Sequence, residues 1–301
     1  MTAGPSALFA GLCVVDLVHR VTRPPGRDEK VTALSQELTA GGPATNAAVT
    51  FAVLGGSATL LTGVGTRELG AVARADLARP GLTVVDLAAD HSGFEPSVSA
   101  VVVVDATGER SVVSRDAAAV DDRSSVALVR AALSGATLCG APPDVVLLDG
   151  HYPAVALEVA AWARARRIPV VLDAGRWKPH LAPLFGLVDE VVCSGDLTVP
   201  TGPGFAALAA YAHGLGARVV AQTHGAAAID VSVAGRRSRV PVPSVAAVDT
   251  LGAGDVLHGA YAFHRALGAD AEAALAAAAE VASFRCGIAG SRGWVEAWPN
   301  T

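Results

Sequence analysis

The sequence predicts an α/β fold in which a doubly wound, mostly parallel sheet is flanked by helices and carries a small inserted β-sheet lid. Three observations support this fold class. Short β-branched, apolar runs alternate with long segments rich in Ala and Leu, as in layered folds with crossover helices. In two places, extended segments follow each other without a helix between them, which indicates an insert. The length of 301 residues fits one large domain, so we expect residues 1–301 to form a single domain.

The short apolar runs predict the strands of the parallel sheet. They lie, in chain order, at residues 8–15, 58–64, 145–148, 170–172, 190–193 and 218–222. Because these runs are apolar throughout, both faces of the sheet are expected to be covered. The segments between them predict helices at residues 44–54, 154–167 and 204–213, and the alanine-rich segment 271–284 predicts a buried helix.

The insert is predicted from two pairs of extended segments, at approximately residues 17–39 and 97–115. In the first pair a turn-rich stretch at residues 23–27 separates the extended segments, and in the second pair the turn lies at residues 105–109. An insert directly after the first strand would lie over the edge of the sheet where α/β proteins bind ligands. It is therefore interpreted as a lid, with a structural or dimer-forming flap as the alternative.

The composition narrows the class of protein. Hydrophobic residues make up 51% and charged residues 17%, which excludes a mostly disordered chain. The net charge of −5 argues against a nucleic-acid partner. The sequence has no uninterrupted apolar run of about 18 residues, so no membrane span is predicted. The N-terminus has no basic residue before its apolar run, unlike a secretory signal. We therefore expect a cytoplasmic protein with reduced cysteines; the four are Cys13, Cys139, Cys193 and Cys286.

A glycine-rich turn near residue 250 is the most informative stretch. Gly252, Ala253 and Gly254 follow an extended segment at residues 238–248 and open a helix that continues toward residue 266. Glycine lets backbone approach a ligand closely, and the free amides of a helix start stabilise an anion. Asp255 at this start is either a helix cap or a general base that accepts a hydroxyl proton beside a transferring phosphoryl group.

A second glycine pair precedes the helix predicted at residues 44–54. Gly41 and Gly42 would again bring backbone near a ligand, and Asn46 offers a donor and an acceptor that suit a sugar hydroxyl. The alternative for Asn46 is a local bond to helix backbone. Neither the Walker A loop nor the dinucleotide-binding glycine signature is present here.

Together the two stretches resemble the PfkB, or ribokinase-like, family of carbohydrate kinases. The resemblance rests on Gly-Gly-x-x-x-Asn at residues 41–46 and Asp-Thr-x-Gly-Ala-Gly-Asp at residues 249–255, and it extends over nearly the whole chain. It implies in-line phosphoryl transfer from ATP to a hydroxyl. It also implies roles for named residues: Asp255 as catalytic base, Gly252, Ala253 and Gly254 as the anion hole, and Asp16, Gly41, Gly42 and Asn46 as the sugar-binding groups.

The resemblance further implies the cofactors and their sites. Thr223 and Gly225 match part of a nucleotide-binding turn, and the region from Ala282 to Gly287, which includes Cys286, would flank the adenine. Family members use ATP with Mg²⁺, and many respond to K⁺. Asp249, with the backbone around Leu251, matches one side of that monovalent site.

One departure from the family pattern concerns Mg²⁺. Many members carry Asn-x-x-Glu after the strand that corresponds to residues 190–193, whereas this chain reads Ser-Gly-Asp-Leu-Thr at residues 194–198. This chain resembles the ketohexokinase branch, which also lacks that segment and has a similar motif at residues 249–255. The resemblance favours a ketose as acceptor.

Two cations follow the strand predicted at residues 170–172. Arg176 and Lys178 come just past its carboxyl end, where they could bind an anionic group of the acceptor. The alternative is a solvated loop.

The resulting expectation is an ATP-dependent carbohydrate kinase that takes a small-molecule sugar and ATP, has no nucleic-acid or membrane partner, and could form a homodimer through its β lid. Within enzymes, a nucleoside kinase or a kinase of 2-keto-3-deoxy sugar acids remains open. A sugar-sensing protein that keeps the fold without turnover is the alternative of another class.

Overall fold

The computed structural model describes residues 4–117, 120, 122–135 and 142–299. Its strands are β1 (Ser6–Ala10), β2 (Val14–Val21), β3 (Ser35–Gly41), β4 (Ser57–Thr62), β5 (Leu82–Asp86), β6 (Ser97–Val104), β7 (Arg110–Ser114), β8 (Val145–Leu148), β9 (Val170–Ala174), β10 (Glu190–Ser194), β11 (Val219–His224), β12 (Ala227–Val233) and β13 (Arg236–Val240). Its α-helices are α1 (Pro43–Val53), α2 (Glu68–Leu77), α3 (Asp122–Ser134), α4 (Pro153–Ala165), α5 (Ala182–Phe185), α6 (Phe205–Gly214), α7 (Ala253–Ala266), α8 (Ala271–Cys286) and α9 (Gly293–Ala297).

The main sheet confirms the predicted α/β class. Its nine strands run in the order β13-β12-β11-β10-β9-β8-β1-β4-β5. Neighbouring strands are parallel from β5 through β4, β1, β8, β9 and β10 to β11. The β11–β12 and β12–β13 pairs at one edge are antiparallel. Because the chain proceeds from β1 to β4 on one side and returns to β8 on the other, the direction of winding changes at β1. Ligands of open α/β sheets bind at such a switch point, beyond the carboxyl ends of the strands.

Two hydrophobic clusters cover the two faces of this sheet. One contains the inner residues of α3, α4 and α6, and the other contains those of α1, α7 and α8. The runs predicted as parallel strands are buried almost throughout; in β8 and β9 every residue is buried. This explains why those runs are apolar without alternation.

The strand predicted at residues 8–15 is two strands, and this prediction was wrong. The chain leaves the main sheet after β1 and enters the small sheet as β2. At the break, a Cβ on Gly11 would lie 2.1 Å from Asp149 Oδ1, and the Leu12 amide donates to Asp149 Oδ2 at 2.8 Å. A carboxylate from residue 149 therefore ends β1, which the local sequence does not reveal.

Other differences concern the edges of the sheet. The extended segment predicted at 238–248 is a strand only as far as Val240, and it pairs with β12 in a hairpin that the sequence analysis missed. Strand β5 and helices α2 and α3 were also missed. Cys139 lies outside the described residues.

The small sheet has four strands in the order β3-β2-β6-β7, from the segments where the insert was predicted. Residues paired across it fall alternately on two faces. One face carries Asp16 and Ser99 with Val18 and Val101, and this valine pair packs with Leu251. This face therefore lies toward the glycine-rich turn at residue 252.

Helices α1 and α7 pack closely enough that glycine is required at their contact. A Cβ on Gly259 would lie 2.3 Å from the Ala47 carbonyl oxygen and 2.7 Å from Thr50 Cβ. Both neighbours belong to α1, and one of them is backbone that cannot rotate away. The contact sets the distance between the first turns of the two helices.

We predict that Gly259→Ala destabilises the protein. Alanine improves helix propensity by about 1 kcal/mol, but the clash with α1 should cost more than this. The net decrease in the free energy of unfolding should be about 1 to 2 kcal/mol. Urea unfolding measures the change. The matched control is Gly214→Ala in α6, where nothing lies within 4 Å of the added Cβ. Equal stability of the two variants would contradict the packing argument.

Candidate active site

The carboxyl edge of the main sheet carries a buried carboxylate at the switch point. Asp149 follows β8, and its Oδ2 accepts from the amides of Leu12 (2.8 Å) and Ala44 (3.2 Å). Its Oδ1 accepts from the His151 amide at 2.9 Å. Burial opposes ionisation, but the charge of His151 and these bonds hold the pKa of Asp149 below its ordinary value. Asp149 therefore joins β1, β8 and the start of α1.

The glycine-rich turn leads directly into α7. Gly252 is the N-cap residue and has φ 73°, a left-handed conformation that favours glycine. The Ala253 amide bonds to the Thr250 carbonyl at 3.3 Å. Gly254 is exposed, and nothing lies within 4 Å of a Cβ built on it. The first turn of α7 thus faces open space, as an anion site at a helix N-terminus requires.

Asp255 lies in this first turn and contacts Asn46 from α1. Asn46 Nδ2 donates to Asp255 Oδ2 at 2.8 Å. A Cβ on Gly252 would lie 3.5 Å from that amide nitrogen and 3.7 Å from the carboxylate oxygen, so the glycine borders the pair. The structure therefore brings together the two motifs that the sequence singled out, which are separated by about 200 residues.

Arg292, which the sequence analysis missed, orients Asn46. Its Nη1 donates to Asn46 Oδ1 at 2.9 Å, while Nε and Nη2 donate to Asp76. Nη2 also donates to the Ala40 carbonyl at 2.6 Å. The Asn46 amide is consequently turned so that its NH₂ group points at Asp255. No local pattern around residue 292 signals this role, because its partners lie in α1, α2 and β3.

Asp16 lies on the inner face of the small sheet, close to the same cleft. A Cβ on Gly41 would lie 2.0 Å from Asp16 Oδ2, so the side chain occupies the space that glycine leaves. Burial and the charge of Asp255 raise the pKa of Asp16 to about 6, against opposing effects of Ser99 and Arg292. A cleft is lined here by Asp16, Ala40, Asn46, Gly252, Arg292 and Trp294.

Gly42 precedes α1 and borders the same region. It has φ 106°, and a Cβ on it would lie 2.3 Å from the Leu12 carbonyl oxygen. Pro43 occupies the first turn of α1, where its missing N–H costs no hydrogen bond. The glycine pair therefore provides close backbone packing at the start of α1.

The pKa of Asp255 is also raised, chiefly by burial, with Asn46 and His258 opposing the shift. The helix start alone would lower it. Asp173 lies in β9, near the carboxyl end of the strand. Burial raises its pKa to about 6, while the charge of His258 favours the ionised form. His258 Nδ1 lies 3.3 Å from Asp173 Oδ2. These carboxyl groups would take up protons more readily than ordinary aspartates.

The small sheet contacts the segment before α7 through two arginines. Arg20 in β2 forms an ion pair with Asp249 at 3.0 Å. Arg110 in β7 donates to Thr250 Oγ1 at 2.9 Å, and its charge also favours the ionised form of Asp255. The tip of the β6–β7 hairpin is equally close, because a Cβ on Gly108 would lie 2.9 Å from the Val248 backbone. The small sheet is therefore held against the glycine-rich turn.

Asp249 itself is 1% exposed and surrounded by donors. Oδ2 accepts from Arg20 and from the Gly290 amide (3.2 Å), and Oδ1 accepts from the Leu251 amide (2.9 Å). Oδ1 is also 3.3 Å from Arg285 Nη2. Both oxygens of the residue that was expected to bind a monovalent cation thus have protein partners.

The residues expected to bind nucleotide lie farther along the sheet edge. Thr223 at the end of β11 donates its hydroxyl to the Cys193 carbonyl at 3.3 Å, and Gly225 is exposed in the β11–β12 turn with φ 62°. Ala282 is 9% exposed in the core cluster, and Cys286 is half-buried at the end of α8. The structure places these four residues in two groups, at the β10–β11 edge and along α8.

The cations after β9 differ from each other. Lys178 forms an ion pair with Asp116, which also lies 3.2 Å from His151 Nε2. Arg176 is exposed and, within the described residues, makes no ion pair or hydrogen bond. Only Arg176 is therefore available to an anionic ligand without breaking an existing contact.

The structure provides no dedicated metal cage in its described part. There, no three His, Cys, Asp or Glu side chains are grouped so that they could hold a metal ion. Asp196, near the expected Asn-x-x-Glu position, is exposed, and Glu190 is buried against Tyr261 (2.5 Å) and Arg265. In the same residues, no helix is long and apolar enough to cross a membrane.

Comparison with known proteins shows what the chain is similar to. The model of the pfkB family of carbohydrate kinases matches residues 5–297. A solved structure from Agrobacterium tumefaciens, provisionally assigned as a ribokinase, is 27% identical with a TM-score of 0.74, covering 96% of this chain and 94% of that chain. Arabidopsis thaliana ribokinase complexed with ribose and ATP is 21% identical with a TM-score of 0.73, covering 99% and 96%. The tetrameric inhibited form of Escherichia coli phosphofructokinase-2 is 18% identical with a TM-score of 0.74, covering 95% and 94%.

We predict that Asp16→Asn changes how stability depends on pH. The folded-state pKa of Asp16 is about 6 and the ordinary value is 3.8, so its favourable contribution is complete below about pH 4. That contribution is lost as the pH rises through 6. Between pH 4 and 7 the wild type should therefore lose on the order of 1 to 3 kcal/mol relative to Asp16→Asn. Urea unfolding at both pH values tests this, with Asp90→Asn at an exposed position as control. Parallel pH curves would contradict it.

Proposed function

The chain belongs to the pfkB family of carbohydrate kinases and is an ATP-dependent sugar kinase, and we propose that its acceptor is a ketose such as fructose or a related sugar. The observation that carries the proposed mechanism is the Asn46–Asp255 contact at the open first turn of α7. It puts a carboxylate beside free helix amides, which is what proton abstraction next to a transferring phosphoryl group requires. The preference for a ketose rests on the similarity of the motif at residues 249–255 to that of the ketohexokinase branch.

Asp255 is proposed to be the catalytic base. Burial raises its pKa, which makes the carboxylate a better proton acceptor than that of an ordinary aspartate. Asn46 donates one hydrogen bond to Oδ2 and thereby orients the carboxylate. The backbone amides of Gly252, Ala253 and Gly254 would donate hydrogen bonds to the oxygens of the transferred phosphoryl group and so stabilise its negative charge.

The acceptor site is proposed to lie between the inner face of the small sheet and the start of α1. Asp16 is the carboxylate on this side, and Gly41 lets its side chain lie directly against the backbone before α1. Asn46 already accepts a hydrogen bond from Arg292 and donates one to Asp255. We therefore propose that it contributes mainly by orienting the Asp255 carboxylate. Arg176 is exposed just past β9, and its guanidinium would bind the acceptor only where the acceptor carries an anionic group.

The nucleotide is proposed to bind along the edge from β11 to α8. Thr223 and Gly225 would contact it on one side, with Ala282 and Cys286 flanking the adenine on the other. Mg²⁺ needs no protein cage here, because it keeps several waters and is held largely by substrate phosphates, whose charge it neutralises. Arg110 in the small sheet is a cation close to this chemistry, since its charge favours the ionised form of Asp255 and it donates to Thr250. A cytoplasmic location is part of the same proposal because the reaction consumes ATP.

A homodimer through the small sheet is also proposed. Leu38, Leu17, Ala100 and Val113 are in register across the outer face of this sheet. Leu38 is 47% and Val113 is 76% exposed. An apolar row of this kind favours a self-complementary contact with a second copy of the chain.

The decisive experiment is ATP consumption against ketoses, aldoses, nucleosides and 2-keto-3-deoxy sugar acids. We expect a ketose to give the highest kcat/KM. The largest value for a nucleoside or a sugar acid would overturn the ketose assignment. Absence of turnover with every acceptor would favour a non-catalytic sugar-sensing protein.

We predict that Asp255→Asn lowers kcat by roughly 10²- to 10⁴-fold with little effect on folding or ATP binding. Asparagine caps a helix about as well as aspartate, so loss of a cap alone would leave activity nearly intact. In the wild type, kcat/KM should fall as the pH drops through the raised pKa of Asp255, because the protonated carboxyl cannot accept a proton. Steady-state kinetics across pH, with circular dichroism of the variant, measure both effects. Near-wild-type turnover would refute the mechanism.

We predict that Leu38→Asp together with Val113→Asp yields a monomer. Charges on the outer face would prevent its burial against a second copy. Sedimentation velocity compares the double variant with the wild type, and Leu215→Asp, at a residue 40% exposed outside this sheet, is the control. A wild type that is already monomeric would exclude the proposed dimer.

A further inference from the structure

A guanidinium occupies an oxygen cage next to the glycine-rich turn. Arg285, near the end of α8, is 1% exposed. Its Nη1 donates to the Ile288 carbonyl at 2.9 Å and to the Asp249 carbonyl at 3.3 Å. Its Nη2 donates to the Leu251 carbonyl at 2.7 Å and lies 3.3 Å from Asp249 Oδ1. Three backbone carbonyl oxygens and one carboxylate oxygen thus surround a single fixed positive charge.

This set of ligands is typical of a site for a dehydrated alkali-metal ion. Backbone carbonyls replace the hydration shell of K⁺, and a carboxylate adds the balancing charge. The sequence resemblance predicted K⁺ at the same place, beside Asp249 and the backbone around Leu251. The residues present do not fit K⁺, because the guanidinium already bonds to these oxygens. Asp249 Oδ2 has partners of its own in Arg20 and the Gly290 amide.

The cage is built into the segment that forms the proposed anion site. Leu251 immediately precedes Gly252, the N-cap of α7. The amides of Val248 and Asp249 donate to the Cys286 carbonyl at 2.8 and 3.1 Å, next to Arg285 in the chain. The end of α8 therefore holds residues 248–251 by backbone bonds and by the guanidinium together.

Arg285 retains its charge in this place. Burial lowers the pKa of its guanidinium and the Asp249 carboxylate opposes that effect, but arginine is not deprotonated in proteins. The cation is also covalently attached, so it stays in the site whatever the salt concentration.

We propose that Arg285 is a built-in substitute for the monovalent cation, positions the turn from Gly252 to Asp255, and makes this kinase independent of K⁺. The link to catalysis rests on the proposed function, because that turn is the anion site proposed above. The occupation of the cage does not depend on it.

The wild type gives the first test. Its kcat/KM and Tm are measured at the same ionic strength in about 100 mM KCl, LiCl or tetramethylammonium chloride. The tetramethylammonium ion is too large for the cage. We expect less than about a twofold change in kcat/KM and less than about 1 °C in Tm, since the site has no room for another ion. Activation of the wild type by K⁺, or a rise of its Tm with K⁺ and not with Li⁺, would overturn the proposal.

Arg285→Ala gives the second test, because it empties the cage. The variant should be less stable than the wild type, since Asp249 loses a buried partner. K⁺ should then raise its Tm by about 2 to 4 °C more than Li⁺ or tetramethylammonium does, and it should recover part of the lost kcat. Arg20→Ala is the matched control: it also removes a cation from Asp249, but leaves Arg285 in the cage, so no K⁺ response is expected. A folded Arg285→Ala protein without a K⁺ response would refute the cage assignment.

Arg285→Lys keeps the proposal testable if the alanine variant does not fold. Lysine retains the charge but can donate to fewer of the oxygens at once, so kcat should fall while K⁺ independence is kept. A K⁺ response in this variant as large as that expected for Arg285→Ala would overturn the proposal. The Tm readout separates the two hypotheses: cation responses as expected in a protein without turnover would refute the proposed function and leave the cage assignment intact.

Discussion

The close crossing of α1 and α7 is the contact on which the proposed site depends. Gly259 allows the two helices to approach until the α7 backbone lies against the Ala47 carbonyl. At this separation the first turns of both helices meet, and Asn46 reaches Asp255. A side chain at residue 259 would move Asp255 away from Asn46. Packing of the two helices therefore determines the Asn46–Asp255 contact at the sheet edge.

The site concentrates negative charge, and the protein balances it with arginine and histidine. Asp16, Asp173 and Asp255 have raised pKa values because burial is not fully offset by neighbouring charges. Asp149 and Asp249, in contrast, are surrounded by donors. The carboxylates with many partners are held in their charged form, and those with fewer partners have raised pKa values. This division follows from the cost of leaving a buried charge unpaired.

The small sheet is coupled to the site through charge as well as through packing. Arg20 and Arg110 connect two of its strands to the segment that precedes α7, and Val18 and Val101 pack near Leu251. Any movement of the sheet would break these contacts and change the charge near Asp255. In the proposed mechanism, closure of the small sheet over a ligand would therefore be linked to the charge state of Asp255. Arg285 belongs to α8 in the helical body and holds the same segment in place through the carbonyls of Asp249 and Leu251.

The sequence by itself determined the features that depend on local backbone. Apolar runs indicated most of the buried parallel strands, the paired glycines marked the starts of α1 and α7, and successive extended segments marked the small sheet. Each reflects a requirement met within about ten residues: burial on both faces, a left-handed φ, or a free helix end.

Only the tertiary structure decided which charged side chains meet. Arg292 orients Asn46 across 246 positions, and Arg20 pairs with Asp249 across 229. Arg285 fills a cage made from two separate loops, one of them more than 30 residues away. Nothing in the local sequence distinguishes these arginines from solvated ones. Their partners are chosen by the packing of whole helices and sheets, which brings distant backbone and carboxylate oxygens around one guanidinium.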